Sequence, residues 1–110
     1  MDINEMKKDK ATVITIEGRL DSSTSGILEK KLLSLRDTGE KNFLLDFSGM
    51  DYISSAGLRV LLMVAKKSKT AKGKVLLSAL TDNVKEVFDI AGFTDIFTIF
   101  ATAEEALKDF

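Results

Sequence analysis

The chain predicts an α/β fold built on a mostly parallel sheet. Short β-branched or apolar runs alternate with stretches of helical spacing. The alternation runs β-β-α-β-α-β-α-β-α, and strand–helix–strand units of this kind pair their strands in parallel through right-handed crossovers. Glycines and helix-capping residues mark the junctions in a chain that contains no proline.

Ile3–Lys8 reads as an edge strand, followed by a turn at Asp9-Lys10. Ala11-Thr-Val-Ile-Thr-Ile-Glu17 is rich in β-branched residues and reads as the second strand. Gly18–Asp21 is then expected as a loop. A first helix follows, with Asp21, Ser22 or Ser23 as its N-cap, Leu28, Leu32 and Leu35 on its inner face, and Gly39 at its end. Asn42-Phe-Leu-Leu-Asp-Phe47 suits a strand covered on both faces.

Ser48–Ile53 is expected as a loop, and Ser54-Ser55 stands where the second helix should begin. That helix carries Leu58, Leu61, Leu62 and Ala65 on one side and Val60, Met63 and Val64 on the other, so it is expected to lie deep in the domain. Lys66, Lys67 and Lys69 complement the negative end of its dipole, and Gly73 closes the connection. Lys74–Ser78 reads as another buried strand. Thr81-Asp82-Asn83 supplies caps for a third helix with Val84, Val87, Phe88 and Ala91 inward and Gly92 as its C-terminal cap. Ile96–Phe100 reads as the last strand. Thr102 and Glu105 form a capping box for a final helix bearing Ala103, Ala106, Leu107 and Phe110.

The 110 residues fit one domain, 1–110, large enough to bury a core without staples. Cysteine and histidine are both absent, which excludes disulfides, thiolate or histidine metal sites, Ser-His-Asp triads and Cys-His dyads. Sixteen basic residues against seventeen acidic ones leave a net charge of −1, without the basic excess of a nucleic-acid binder. The longest apolar run, Val60–Ala65, is far short of the ~18 residues of a membrane span. The opening MDINEMKKDK carries no signal-peptide core. A cytoplasmic monomer with no nucleic-acid or membrane partner, no metal and no cofactor is expected.

The densest chemical signal is Met50-Asp-Tyr-Ile-Ser-Ser-Ala-Gly-Leu-Arg-Val-Leu-Leu62, at the carboxyl end of a central strand, where function gathers in open α/β sheets. One helix needs one capping serine. If Ser54 caps, Ser55 takes the first helical position and faces outward, beside free backbone N–H groups. Asp21 serves either as a cap or in recognition. Asp46 ends an apolar strand as receiver phosphoacceptors do. The second acidic cluster that a receiver needs for Mg²⁺ is reduced here to Glu17, so Asp46 is assigned to loop N–H groups. Lys72-Gly-Lys74 lacks the upstream glycine of a phosphate-binding loop. A Ser55–lysine dyad would need a lysine from elsewhere in the fold, since the first lysine of that helix lies ~16 Å along the axis. Phe93, Phe97 and Phe100 are assigned to the core.

Tyr52-Ile-Ser-Ser-Ala-Gly-Leu-Arg-Val-Leu-Leu62 resembles the signature of STAS domains, most closely the bacterial anti-sigma factor antagonists. Val13-Ile-Thr-Ile-Glu-Gly-Arg-Leu-Asp21 resembles the family's second strand and its Gly-x-x-Asp loop, and Asn42–Phe47 resembles the strand before the signature. The resemblance spans essentially the whole chain. It implies a four- to five-stranded mixed, mostly parallel sheet with about four helices packed largely on one face. It also implies a non-enzymatic partner switch. The unphosphorylated protein binds an anti-sigma factor serine kinase and frees the sigma factor; phosphorylation two places before the signature glycine lowers affinity, and a PP2C-type phosphatase resets it.

Carried onto this chain, the modified residue is Ser55, with Ser54 the lesser candidate. The partner surface comprises Asp21, Ser22, Ser54, Ser55, Ala56, Gly57 and Leu58. The family's commonest form has Asp where this chain has Ser54, whose hydroxyl caps a helix without supplying a negative field. The alternative is a scaffolding or transport-accessory STAS subunit that binds its partner without a phosphorylation cycle.

Overall fold

β-Branched residues and helix formers separate along this chain into six strands and four α-helices, described for residues 1–110 by a computed structural model. In order these are β1 (Asp2–Lys7), β2 (Thr12–Leu20), α1 (Ser25–Asp37), β3 (Phe43–Asp46), β4 (Met50–Ile53), α2 (Ser55–Thr70), β5 (Val75–Ser78), α3 (Asp82–Ala91), β6 (Thr98–Phe100) and α4 (Ala103–Leu107). The sheet order is β1-β2-β3-β5-β6, with β4 also pairing β2. Only the β1–β2 hairpin is antiparallel; every other pairing is parallel.

Two expected loops are extended: Gly18–Leu20 lengthens β2, and Met50–Ile53 is a further strand that raises the count to six. β2 continues through Gly18 to Leu20 because glycine accepts φ +96° at a register shift that an L-residue would resist. β4 occupies Met50–Ile53, within the expected Ser48–Ile53 loop. Its cause is a turn after β3, where the Met50 N–H donates to the Phe47 carbonyl at 2.9 Å and the Asp46 carboxylate accepts from the Ser48 N–H at 2.9 Å. β3 and β4 therefore share one neighbour: Thr12–Thr15 pairs with β3, and Gly18–Leu20 pairs with β4.

Alternation then sorts the sheet into two faces. Ile14, Leu45, Leu77 and Ile99 stand in register on one face. There they pack with Leu28 and Leu32 of α1, Leu58, Leu61 and Val64 of α2, and Val84 and Phe88 of α3. Val13, Leu44 and Leu76 line the other face, covered by Ala103, Ala106 and Leu107 of α4. Three helices on one side and one on the other give the asymmetry expected. Fully burying a leucine such as Leu61 contributes about 1.5–3 kcal/mol, so α2 is a main anchor.

Smaller corrections follow from geometry. α2 is not enclosed all round: Leu58, Val60, Leu61 and Val64 are buried, whereas Arg59 and Lys66 are exposed. α1 starts at Ser25 behind Thr24, so none of Asp21, Ser22 and Ser23 is its N-cap. The last strand shortens to Thr98–Phe100, and Phe97 turns into the core against Phe88, ring centroids 6.2 Å apart. Ala91 is exposed at the end of α3, and Gly92 caps that helix at φ +77°.

Candidate functional site

Parallel topology brings the N-termini of α1 and α2 to one end of the sheet, following the carboxyl ends of β2 and β4. A backbone bond joins the two junctions: the Ser54 N–H donates to the Leu20 carbonyl at 2.9 Å. Ser54 is the N-cap of α2, extended at φ −100° and ψ 174°, and its hydroxyl accepts from the Gly57 N–H at 3.4 Å. Its carbonyl takes the Leu58 N–H at 3.0 Å. Ser55 is thereby left as the first helical residue, with its side chain exposed at the positive end of the helix.

Ser54→Ala removes this cap and is expected to cost about 1 kcal/mol, a fall in thermal midpoint of several degrees measured by circular dichroism. An unchanged midpoint would show that the long bond to Gly57 contributes nothing.

Asp21 organises the neighbouring turn. One of its carboxylate oxygens accepts from the Ser23 N–H at 3.0 Å and the Ser23 hydroxyl at 2.8 Å, and the Thr24 hydroxyl lies 3.2 Å away. The Ser23 hydroxyl foremost holds the carboxyl below its ordinary 3.8, against a desolvation penalty, with the Ser23 N–H, Thr24 and Arg19 adding to the effect. Asp21 is consequently a fixed negative charge and a poor proton acceptor. Arg19 Nε sits 3.5 Å from the other carboxylate oxygen, and its guanidinium lies 4.4 Å from the centre of the Tyr52 ring.

Five of the seven sequence-predicted site residues reach solvent: Ser22 and Ser55 are exposed, and Asp21, Ser54 and Ala56 are half-buried. Gly57 and Leu58 do not. Leu58 is 5% exposed, and Gly57 faces Leu20 and Ile53, so both are packed inward. Arg59, Tyr52 and Arg19 stand exposed beside them, and local sequence rules do not single out any of the three. Period-2 alternation through Glu17 and Arg19 points Arg19 outward once Gly18 is placed in the strand.

No group of three or more acidic side chains is arranged to hold a metal ion, and no helix is long and apolar enough to cross a membrane. The arrangement offers an accessible hydroxyl on a helix N-terminus beside a rigid acidic turn, suited to modification and to protein contact.

The STAS domain family model matches residues 2–106. This chain belongs to the STAS domain family. It is 39% identical over 104 residues to BtrV of Bordetella bronchiseptica, whose name places it among anti-sigma factor antagonists; the match covers 94% of this chain and 90% of that one. It is 29% identical to the anti-sigma-B factor antagonist of Bacillus subtilis, over 98% of this chain and all of that protein. Among solved structures, a Thermotoga maritima protein described as an anti-sigma factor antagonist superposes at a TM-score of 0.92 with 18% identity, covering 97% of this chain and 92% of that one. The phosphorylated form of the Bacillus protein SpoIIAA shares the fold at 0.77 with 20% identity, covering 98% of both chains. A sulfate transporter family protein of Wolinella succinogenes does so at 0.78 with 19% identity, covering 94% of this chain and 86% of that one.

Proposed function

We propose that this STAS domain is a cytoplasmic anti-sigma factor antagonist, a binding protein rather than an enzyme, whose partner is an anti-sigma factor serine kinase. The observation that carries the reading is the division of labour between two serines: Ser54 takes the cap, and Ser55 stands exposed next to it. The relatives named as antagonists support the role, and the phosphorylated form of SpoIIAA supports the chemistry.

In the proposed cycle the unmodified domain docks through the Asp21 turn and the start of α2, occupying the kinase and releasing its sigma factor. The kinase then transfers the γ-phosphoryl group of ATP to the Ser55 oxygen. An O–P bond forms as the bridging bond to the β-phosphate breaks, the hydroxyl proton is lost, and ADP leaves. The product carries about 1.5 to 2 negative charges. A helix N-terminus tolerates them, so the fold persists while an interface fitted to a neutral hydroxyl does not. A PP2C-type phosphatase would restore the hydroxyl.

Incubation with the cognate kinase and ATP, followed by mass spectrometry, tests this. The expected result is a gain of one phosphate that Ser55→Ala abolishes and Ser54→Ala preserves. Tight binding with no phosphate gained would overturn the switch and favour a transport-accessory or scaffolding role, the reading to which the fold shared with the Wolinella succinogenes protein points.

A further inference from the structure

We propose that Arg59 is the intramolecular receptor for a phosphate on Ser55. This rests on the reading of Ser55 as the modified residue. Ser55 opens α2 and Arg59 follows four residues later, both exposed on one stripe of the helix. Residues so spaced are neighbours one turn apart, ~5–6 Å between their Cβ atoms. Helical side chains lean toward the N-terminus, so a long side chain at the fifth position reaches back over the first. An anion N-terminal to a cation at this spacing is also the favourable order.

Arg59 is available for the task. The ion pairs of the structure are Lys7–Glu40, Arg19–Asp21, Lys31–Glu5 and Lys74–Asp109, and Arg59 enters none of them. It lines an open groove between α1 and α2 with Ser25, Glu29, Ala56, Val60 and Met63. Glu29 is the one carboxylate in that groove. The nearby Arg19 is engaged by Asp21 and Tyr52. A guanidinium matches phosphate oxygens with two parallel hydrogen bonds, which a single ammonium does not reproduce.

Modification therefore makes two changes at the surface. It places a dianion on Ser55, and it draws Arg59 from the groove edge back to the helix N-terminus. The groove loses its guanidinium as the partner loses its neutral serine.

The test uses the full chain with phosphoserine installed genetically at position 55, so it does not depend on any kinase. Phosphorus NMR follows the second phosphate ionisation, ordinarily near pKa ~6, in the parent sequence, Arg59→Gln and Arg59→Lys. The parent value is expected to lie about 0.3 units or more below that of Arg59→Gln, with Arg59→Lys between them. The helix N-terminus, Asp21, Asp51 and Glu29 act alike in all three proteins, so the difference isolates Arg59. Equal values in the parent and Arg59→Gln would overturn the proposal. A second measurement needs no substitution at Arg59: its Nε–H resonance is expected to shift when phosphoserine replaces Ser55, and an unmoved resonance also overturns it. A kinase that leaves Ser55 unmodified would sink the proposed function while these spectra still report on Arg59.

Discussion

Gly57→Val is expected to lower the thermal midpoint by about 10–20 °C, read by calorimetry or circular dichroism. A Cβ at Gly57 would lie 2.8 Å from Leu20 Cγ, 2.9 Å from Ile53 Cγ1 and 3.0 Å from the Leu20 carbonyl oxygen. The first two atoms belong to fully enclosed side chains, Leu20 at 0% and Ile53 at 1% exposure, with no room to swing away. The third is fixed, because that carbonyl accepts the Ser54 N–H at 2.9 Å. Relief requires α2 to lift from β2 and β4, breaking the bond that joins the two loops of the site. Overpacking of this kind costs roughly 1–3 kcal/mol, and the two γ-methyls of valine place it at the upper end. Each kcal/mol moves the midpoint of a domain near this size by roughly 4–8 °C. Gly57→Ala adds only the Cβ and should show a smaller loss. A normal midpoint for Gly57→Val would refute the close approach of α2 to Leu20.

The same contact explains what was legible in the sequence. The start of α2 at Ser54-Ser55, the left-handed cap at Gly92 and the inward positions Leu28, Leu32, Val84 and Phe88 all follow from local rules, and the structure places them as expected. Local rules fail where a partner strand decides. Gly18 carries a loop signature, yet pairing with β4 holds Gly18–Leu20 extended. Met50-Asp-Tyr-Ile53 is four residues long with two of them exposed, too short for periodicity to register, and β2 alone supplies its pairing.

The site divides in the same way. Ser54 as cap and Ser55 as outward neighbour were readable from helix N-terminus chemistry. The burial of Gly57 and Leu58 was not, because both belong to the signature yet face Leu20, Ile53 and the core. A signature mixes exposed residues with residues that hold those in place, and spacing does not separate them. Arg19 and Tyr52 were missed for the opposite reason. Their pairing arises across two strands distant in sequence, and both segments carry loop signatures.

Ser55→Asp is expected to weaken binding to the proposed anti-sigma factor kinase by about 30- to 100-fold while raising the thermal midpoint by a few degrees at most. The two readouts separate because the carboxylate meets different environments in the free and bound states. In the free domain it stands exposed at the first position of a 16-residue helix, where a negative charge contributes about 0.3–1 kcal/mol of favourable dipole interaction. In the proposed complex it would be withdrawn from water against a surface fitted to a neutral hydroxyl. An uncompensated interfacial charge costs about 2–5 kcal/mol, and each ~1.4 kcal/mol is a factor of ten in affinity. The carboxylate carries one charge where phosphate carries nearly two, which places the expected loss at the lower end of that range. Isothermal titration with the kinase measures the affinity, and Ser55→Ala, expected to bind yet accept no phosphate, is the control. Undiminished binding by Ser55→Asp would show that the partner does not sit on Ser55. A collapse in its melting temperature would show that the Ser55 hydroxyl holds the fold together rather than facing a partner.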